Sequence, residues 1–284
     1  MALIGNETFP LSQFWASKSI LRIKNNRDIF SKSRNREIRK ELIAGSAVVK
    51  GIRGWLLAAQ LINNIKVGEY ELTNFARALL NNDQKLDKSA SWWAIHLAIC
   101  FSDRNEPYAA LFLNLDNLSI DKDWLKWEEL KNRIDLAIED AAKGSLDSNL
   151  QGVRRMFENN HPFVEIGLIE TRKNREDGTS IRLGSPKLTD EIIVHALAMV
   201  RFHKFKSTPT VDFSELTKSG ITHFLCCSPP ELREHLHRMK QSNKWQNYFS
   251  HTTQANLDSV SFGDACTPDK TLLLLLQEGR DTWL

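Results

Sequence analysis

Along residues 46–62 the apolar positions Val48, Ile52, Trp55, Leu56, Ala59 and Ile62 recur at helical spacing and share one face. Ser46, Lys50 and Arg53 fall on a second face, near the start of that predicted helix. Upstream, Ser33 is placed to cap a helix over residues 34–43. Ala44-Gly45-Ser46 reads as a short turn, with Gly45 supplying a positive φ and Ser46 the next N-cap. Downstream, Ile65-Lys66-Val67 and Tyr70-Glu71-Leu72 flank Gly68-Glu69 as two short strands, and Thr73 caps a helix to Leu80. Helix, turn, helix, hairpin, helix is the element order of a winged helix-turn-helix, although a helix, a short glycine turn and an amphipathic helix also occur in plain helical bundles.

Residues 92–101 are apolar nearly all round, which predicts a buried central helix with His96 as a hydrogen-bonded core histidine. Pro107 opens a helix to Leu115, and residues 124–138 form an amphipathic helix with Trp124, Trp127 and Ile134 inward. Most tryptophans lie in such apolar stripes and belong to the core. Residues 163–170 alternate toward a strand, residues 171–178 form a charged hairpin tip with an Asp177-Gly178 turn, and residues 180–183 return. Thr189 caps a helix over residues 190–205. A strand over 210–213 and a small helix over 214–218 follow. Ser228-Pro229-Pro230 opens a helix over 231–241, and residues 245–249 and 257–262 pair as a hairpin. This is winged-helix order again, but the mixed charges of Glu231, Arg233, Glu234 and Arg238 suit docking or dimerisation better than DNA. The expected fold is mainly α, of α+β class. It comprises an N-terminal winged helix-turn-helix (residues 1–84), a helical core (85–160) and a C-terminal winged-helix-like α/β part (161–284).

Charge sharpens the first unit. The chain carries a net +3, yet residues 22–53 hold ten basic against three acidic residues, so the rest is mildly acidic. A basic stripe on an acidic body is either the footprint of a polyanion partner, here double-stranded DNA, or a solvated helix face that happens to be rich in lysine and arginine. Arg34, Arg36, Arg39 and Lys40 suit backbone phosphates. Ser46, Lys50 and Arg53 would reach base edges, and Lys66 in the wing would touch phosphate. Arg172, Lys173 and Arg175 at the later hairpin are further DNA-contact candidates. With about six phosphates neutralised, log K should fall against log [salt] with a slope of about −5.

Several other chemistries lack support. No apolar run approaches the ~18 residues of a membrane span, the start lacks a basic, apolar leader pattern, and four scattered cysteines make no disulfide framework. The expected location is cytoplasmic. No GxxxxGK[ST], GxSxG or HExxH motif occurs. His223, Cys226, Cys227, His235, His237, His251 and Cys266 lack the paired spacing of a zinc site. A metal-dependent nuclease needs two or three clustered carboxylates. The candidates are Glu7, Asp190, Glu191, Asp258 and Asp264, and Glu7 stands out because no helix or charge run explains it. The apolar run Leu272–Leu276 and the ending Trp283-Leu284 are core or an interface, which leaves a homodimer open.

Asn6-Glu7-Thr8-Phe9-Pro10 followed by Phe14-Trp15, the run over residues 45–62, Tyr70-Glu71-Leu72-Thr73, residues 92–97, residues 210–216 and Ser228-Pro229 together carry a resemblance. They resemble the SspB-like family of bacterial DNA phosphorothioation (Ssp) systems, whose members open with a His-Glu-Thr-Phe-Pro motif. The resemblance covers nearly the whole chain. It implies a DNA-nicking endonuclease that opens one strand for two partners, a cysteine desulfurase and a sulfur-transferring, ATP-using enzyme. These replace a non-bridging phosphate oxygen by sulfur, a mark used in antiviral defence. As a nickase the protein would use Mg²⁺ at carboxylates such as Glu7, the candidate catalytic residue. Asn6 stands where those relatives carry His, and an amide does not perform an imidazole's proton chemistry. The alternative is a non-catalytic winged-helix module that recruits modification enzymes or regulates transcription.

Overall fold

Ser12 accepts a hydrogen bond from the Trp15 amide and opens the first helix, α1 (Gln13–Asn25). The structure is a computed structural model and describes residues 8–104, 106–117, 123–138, 143–158, 160–174, 178–206, 208–253 and 257–277. Next come α2 (Asn35–Leu42) and α3 (Ser46–Ala58), then the antiparallel pair β1 (Ile62–Lys66) and β2 (Glu69–Leu72), then α4 (Asn74–Asn82). Ile38 and Leu42 lie one turn apart on α2 and are buried, as are Ile52, Trp55 and Leu56 on α3. Thr73 caps α4 by accepting from the Ala76 amide, as its position predicts.

The α2–α3 turn differs from the sequence reading. Ser33 does not cap α2, because its hydroxyl pairs with Ser31 at 2.9 Å and the N-cap is Arg34. The residue with positive φ is Ile43 (φ 50), not Gly45, which is extended (φ −73, ψ 166). The cause is the way α2 ends: the Ala44 amide bonds the Arg39 carbonyl, which closes the helix through a left-handed residue at position 43. Gly45 becomes the N-cap of α3, and Ser46 is its first helical residue rather than its cap. The helix also stops at Ala58 instead of Ile62. Gln60 turns the chain at φ 55, the Leu61 amide bonds Leu56 O, and Ile62 starts the hairpin.

The chain continues through α5 (Ser89–Cys100), α6 (Glu106–Leu113), β3 (Leu125–Lys126), α7 (Trp127–Ala137), α8 (Lys143–Arg155), α9 (Pro162–Glu165), β4 (Ile169–Asn174) and β5 (Gly178–Leu183). α5 is buried continuously from Ser91 to Cys100. Within it His96 accepts from the Tyr108 hydroxyl at 2.9 Å and donates to the Phe224 carbonyl at 2.8 Å. Burial lowers its pKa to about 4, so the ring is neutral. Strands β3, β5 and β4 form an antiparallel sheet in that order. Residues 163–170 are not one strand. Pro162 sits in the first turn of α9, the His161 ring accepts from the Phe163 amide, and the strand begins only at Ile169. Trp124 precedes α7 rather than lining its inner face. It is half-buried, with the Arg172 and Arg182 guanidiniums 4.4 and 4.7 Å from its ring.

The last third contains α10 (Asp190–Lys204), β6 (Thr210–Asp212), α11 (Phe213–Lys218), α12 (Ile221–Phe224), α13 (Pro229–Lys240), β7 (Phe249–Thr252), β8 (Ser259–Phe262) and α14 (Pro268–Gln277). The sheet order is β6-β8-β7, all antiparallel. Trp245 belongs to a short 3₁₀ turn, so the first strand of the expected hairpin begins at Phe249. In α14, Leu272, Leu275 and Leu276 are buried, and the helix packs on α4, α5 and α10. That part of the apolar run is core. The described chain is thus α+β: mainly helical, with small antiparallel sheets. None of its described helices is long and apolar enough to cross a membrane.

Candidate nucleic-acid interface

Burying Ile38 and Leu42 turns the opposite face of α2 to solvent, and that face is cationic. Arg36, Arg39 and Lys40 are exposed there. With Lys32, Asn35 and Ala44 they line an open groove of about 690 Å³. Lys32, Arg36, Arg39 and Lys40 have no ion pair among the described residues. Arg34 is different. It is held by Asp28 at 2.9 Å and Glu37 at 3.0 Å, and hydrogen bonds to Glu37 and Asp28 raise its pKa further. Arg22 is likewise tied to Glu41 at 2.5 Å. The stripe read from sequence therefore resolves into neutralised and available charges.

The start of α3 borders the same groove through Ala44. Its N-cap, Gly45, has no side chain, so the first-turn amides lack a side-chain acceptor. A helix start of this kind favours an anion. Ser46 and Lys50 are exposed, and Arg53 is half-buried with no ion pair among the described residues. The Ser46 hydroxyl donates to Asn35 Oδ1 at 3.3 Å, which ties the α3 start to α2.

The remaining predicted contacts are scattered. Lys66 is bound to Glu69 at 2.8 Å, a hydrogen bond that raises its pKa. Arg172 and Lys173 lie exposed on β4, Arg172 against Trp124 and Lys173 3.7 Å from Glu158. Glu7 and Arg175 lie outside the described residues. Lys32, Trp124 and Arg182 are not among the site residues that the sequence points to. Lys32 sits inside the basic stripe, whereas only the fold reveals the two guanidiniums beside Trp124.

The α13 face is self-satisfied by contrast. Arg233 pairs with Asp258 at 2.8 Å, Arg238 with Asp190, and Lys244 with Glu191 at 2.6 Å. Ser228 and Glu231 close a capping box over the α13 start. These pairs occupy the candidate carboxylates Asp190, Glu191 and Asp258. Burial raises the Asp258 carboxyl, but hydrogen bonds from His251 and Arg233 outweigh it and hold the pKa below its ordinary value. All four cysteines are buried. Among the described residues no group of three or more His, Cys, Asp and Glu could hold a metal ion. A separate cleft of about 510 Å³, bordered by Phe101, Phe202 and His203, contains none of the predicted site residues.

Residues 4–275 match the family described as "Protein of unknown function (DUF4007)". The chain belongs to the DUF4007 family. No curated protein matches this DUF4007 member. Two solved structures share its fold, "Magnesium ion-bound SspB crystal structure" at TM-score 0.75 and "SspB crystal structure" at TM-score 0.73. Each is 17% identical to it, covering 98% of this chain and 87% of the other. The likeness is one of fold over essentially the whole DUF4007 chain.

Proposed function

We propose that this protein binds double-stranded DNA through the α2 groove and the α3 start, as a component of a DNA phosphorothioation system in which it nicks one strand. The observation that carries the binding step is the set Lys32, Arg36, Arg39 and Lys40, which faces solvent without ion pairs among the described residues, beside an uncapped helix start. Both the N-terminal unit and the β6–β8 unit follow winged-helix order. In that geometry α3 enters the major groove and the β1–β2 hairpin is the wing. The whole-chain likeness to SspB structures supports the phosphorothioation setting. The partners would be the cysteine desulfurase and the sulfur-transferring, ATP-using enzyme of such a system. The self-paired α13 face leaves the second unit to docking or dimerisation.

This chain's own residues hold flanking phosphates and orient the strand. No step is routed through Mg²⁺, because the candidate carboxylates Asp190, Glu191 and Asp258 are engaged in ion pairs. Glu7, the proposed catalytic residue, lies outside them. One observation favours the second reading, a non-catalytic module that recruits modification enzymes or regulates transcription: the described residues assemble no cluster of metal-binding side chains. Supercoiled plasmid incubated with purified protein, with Mg²⁺ and with EDTA, separates the two. Open circles formed only with the metal, and lost in Glu7→Gln, support the nickase. Duplex binding in a gel shift with undiminished supercoil leaves the binding module. Absence of any shift at low salt overturns both.

A further inference from the structure

We infer that the tip of the β1–β2 hairpin is an apolar wedge that enters the minor groove of bound duplex DNA and unstacks a base step. Val67 is the inserted side chain and Ile65 backs it. The inference rests on the DNA-binding reading above. Val67 is 97% exposed and Ile65 46%. Burying such a side chain is favourable, and at Val67 the free protein realises almost none of that gain. The turn does not call for valine either. Hairpin tips favour Gly, Asn and Asp, and Gly68 already supplies the positive φ, at 82°.

The charge around the tip selects the occupant. A Cβ placed on Gly68 would meet Ser31 at 3.3 Å, so the tip is seated on Ser31. Ser31 is followed directly by Lys32 and Ser33, which line the cationic α2 groove. An apolar point beside a polycationic groove matches DNA, whose phosphates meet the groove while the point meets base faces. Lys66 sits between the two apolar residues and is paired with Glu69, which offsets its charge beside the exposed hydrocarbon of Val67. The hairpin is also braced. The Tyr70 amide bonds Arg27 O at 2.8 Å, and the Tyr70 ring packs edge-on to Phe30. Proteins that insert such wedges accept the unstacking cost because the kinked duplex covers more protein surface.

The test compares wild type, Ile65→Ser/Val67→Ser and Val67→Leu on a mixed-sequence duplex. Fluorescence anisotropy across salt reads phosphate contacts, and permanganate footprinting reads unstacked thymines. Wild type should give thymines several-fold more reactive at the bound site. The double serine variant should keep its thermal midpoint and salt slope, lose the hyper-reactivity and bind several-fold more weakly. Val67→Leu should retain all three properties. Wild-type binding without hyper-reactive thymines overturns the wedge and leaves DNA binding intact. Hyper-reactivity persisting in the serine variant, or a fall in that variant's melting temperature, also overturns it. No duplex binding by wild type overturns the wedge together with the functional reading.

Discussion

Replacing Arg36 and Arg39 together by alanine probes the groove directly, with Arg34→Ala as a control built into the same structure. Arg36 and Arg39 are exposed without ion pairs among the described residues, whereas Arg34 is held by Asp28 and Glu37. Each cation that meets a phosphate releases a counterion. If Lys32, Arg36, Arg39, Lys40 and Arg53 all do so, log K should fall against log [salt] with a slope of about −4.5. The double variant should flatten this to about −2.7. Between 50 and 200 mM salt, wild type should then lose roughly 500-fold in affinity and the double variant roughly 40-fold. Arg34→Ala removes a charge already offset by two carboxylates, so its slope should stay within about half a unit of wild type. Anisotropy titrations on one duplex at several salt concentrations measure all three slopes. Exposed side chains on this face carry little folding energy, within about ±0.5 kcal/mol, so loss of fold will not mimic the effect. Equal slopes for the three proteins, or flattening by Arg34→Ala as large as that of the double variant, would refute the division into neutralised and available charges.

Three further outcomes follow from the fold. Burial lowers His96, His161 and His195 to about 4, so the unfolded chain takes up protons that the folded one refuses as pH falls from about 6.5 toward 4. Stability is complete above about pH 6.5 and drops through that window, by up to a few kcal/mol per histidine; melting temperatures unchanged between pH 7.5 and 4.5 would contradict this. Ile43 is 84% exposed in the left-handed region, a conformation that costs a β-branched residue roughly 1–2 kcal/mol, so Ile43→Asn should stabilise the protein by about 1 kcal/mol. A lower urea midpoint would show instead that Ile43 makes a needed contact. Burial raises the Cys100 thiol well above its ordinary value and lifts Cys266 to about 12, so a thiol reagent should label the native protein only slowly. Rapid native labelling would place a thiolate at the surface.

What the sequence by itself determined lies within a few residues' reach. Thr73 and Thr189 cap helices as read, and the Ser228-Pro229-Pro230 opening proves to be capped by Ser228, because a cap bond spans three residues and its donor is always the nearby backbone. The buried α5 followed from its unbroken apolar composition, and the basic stripe from counting charges. The α2–α3 turn and the end of α3 were misread although local bonds decide them, whereas two other misreadings arose where distant groups decide. Residues 161–165 turn helically with His161 anchored to the Leu11 carbonyl from the far end of the chain. Trp124 faces guanidiniums on β4 and β5 instead of the core. The candidate site divides in the same way. That residues 22–53 are cationic was legible, but only the tertiary structure decided that Arg34 is neutralised by Asp28 and Glu37 while Arg36, Arg39 and Lys40 face solvent. It also decided that Val67 stands bare beside them. Helical periodicity and capping are set by neighbours along the chain. Ion pairing and exposure depend on which residues the fold brings within a few ångströms, and that proximity has no local signature.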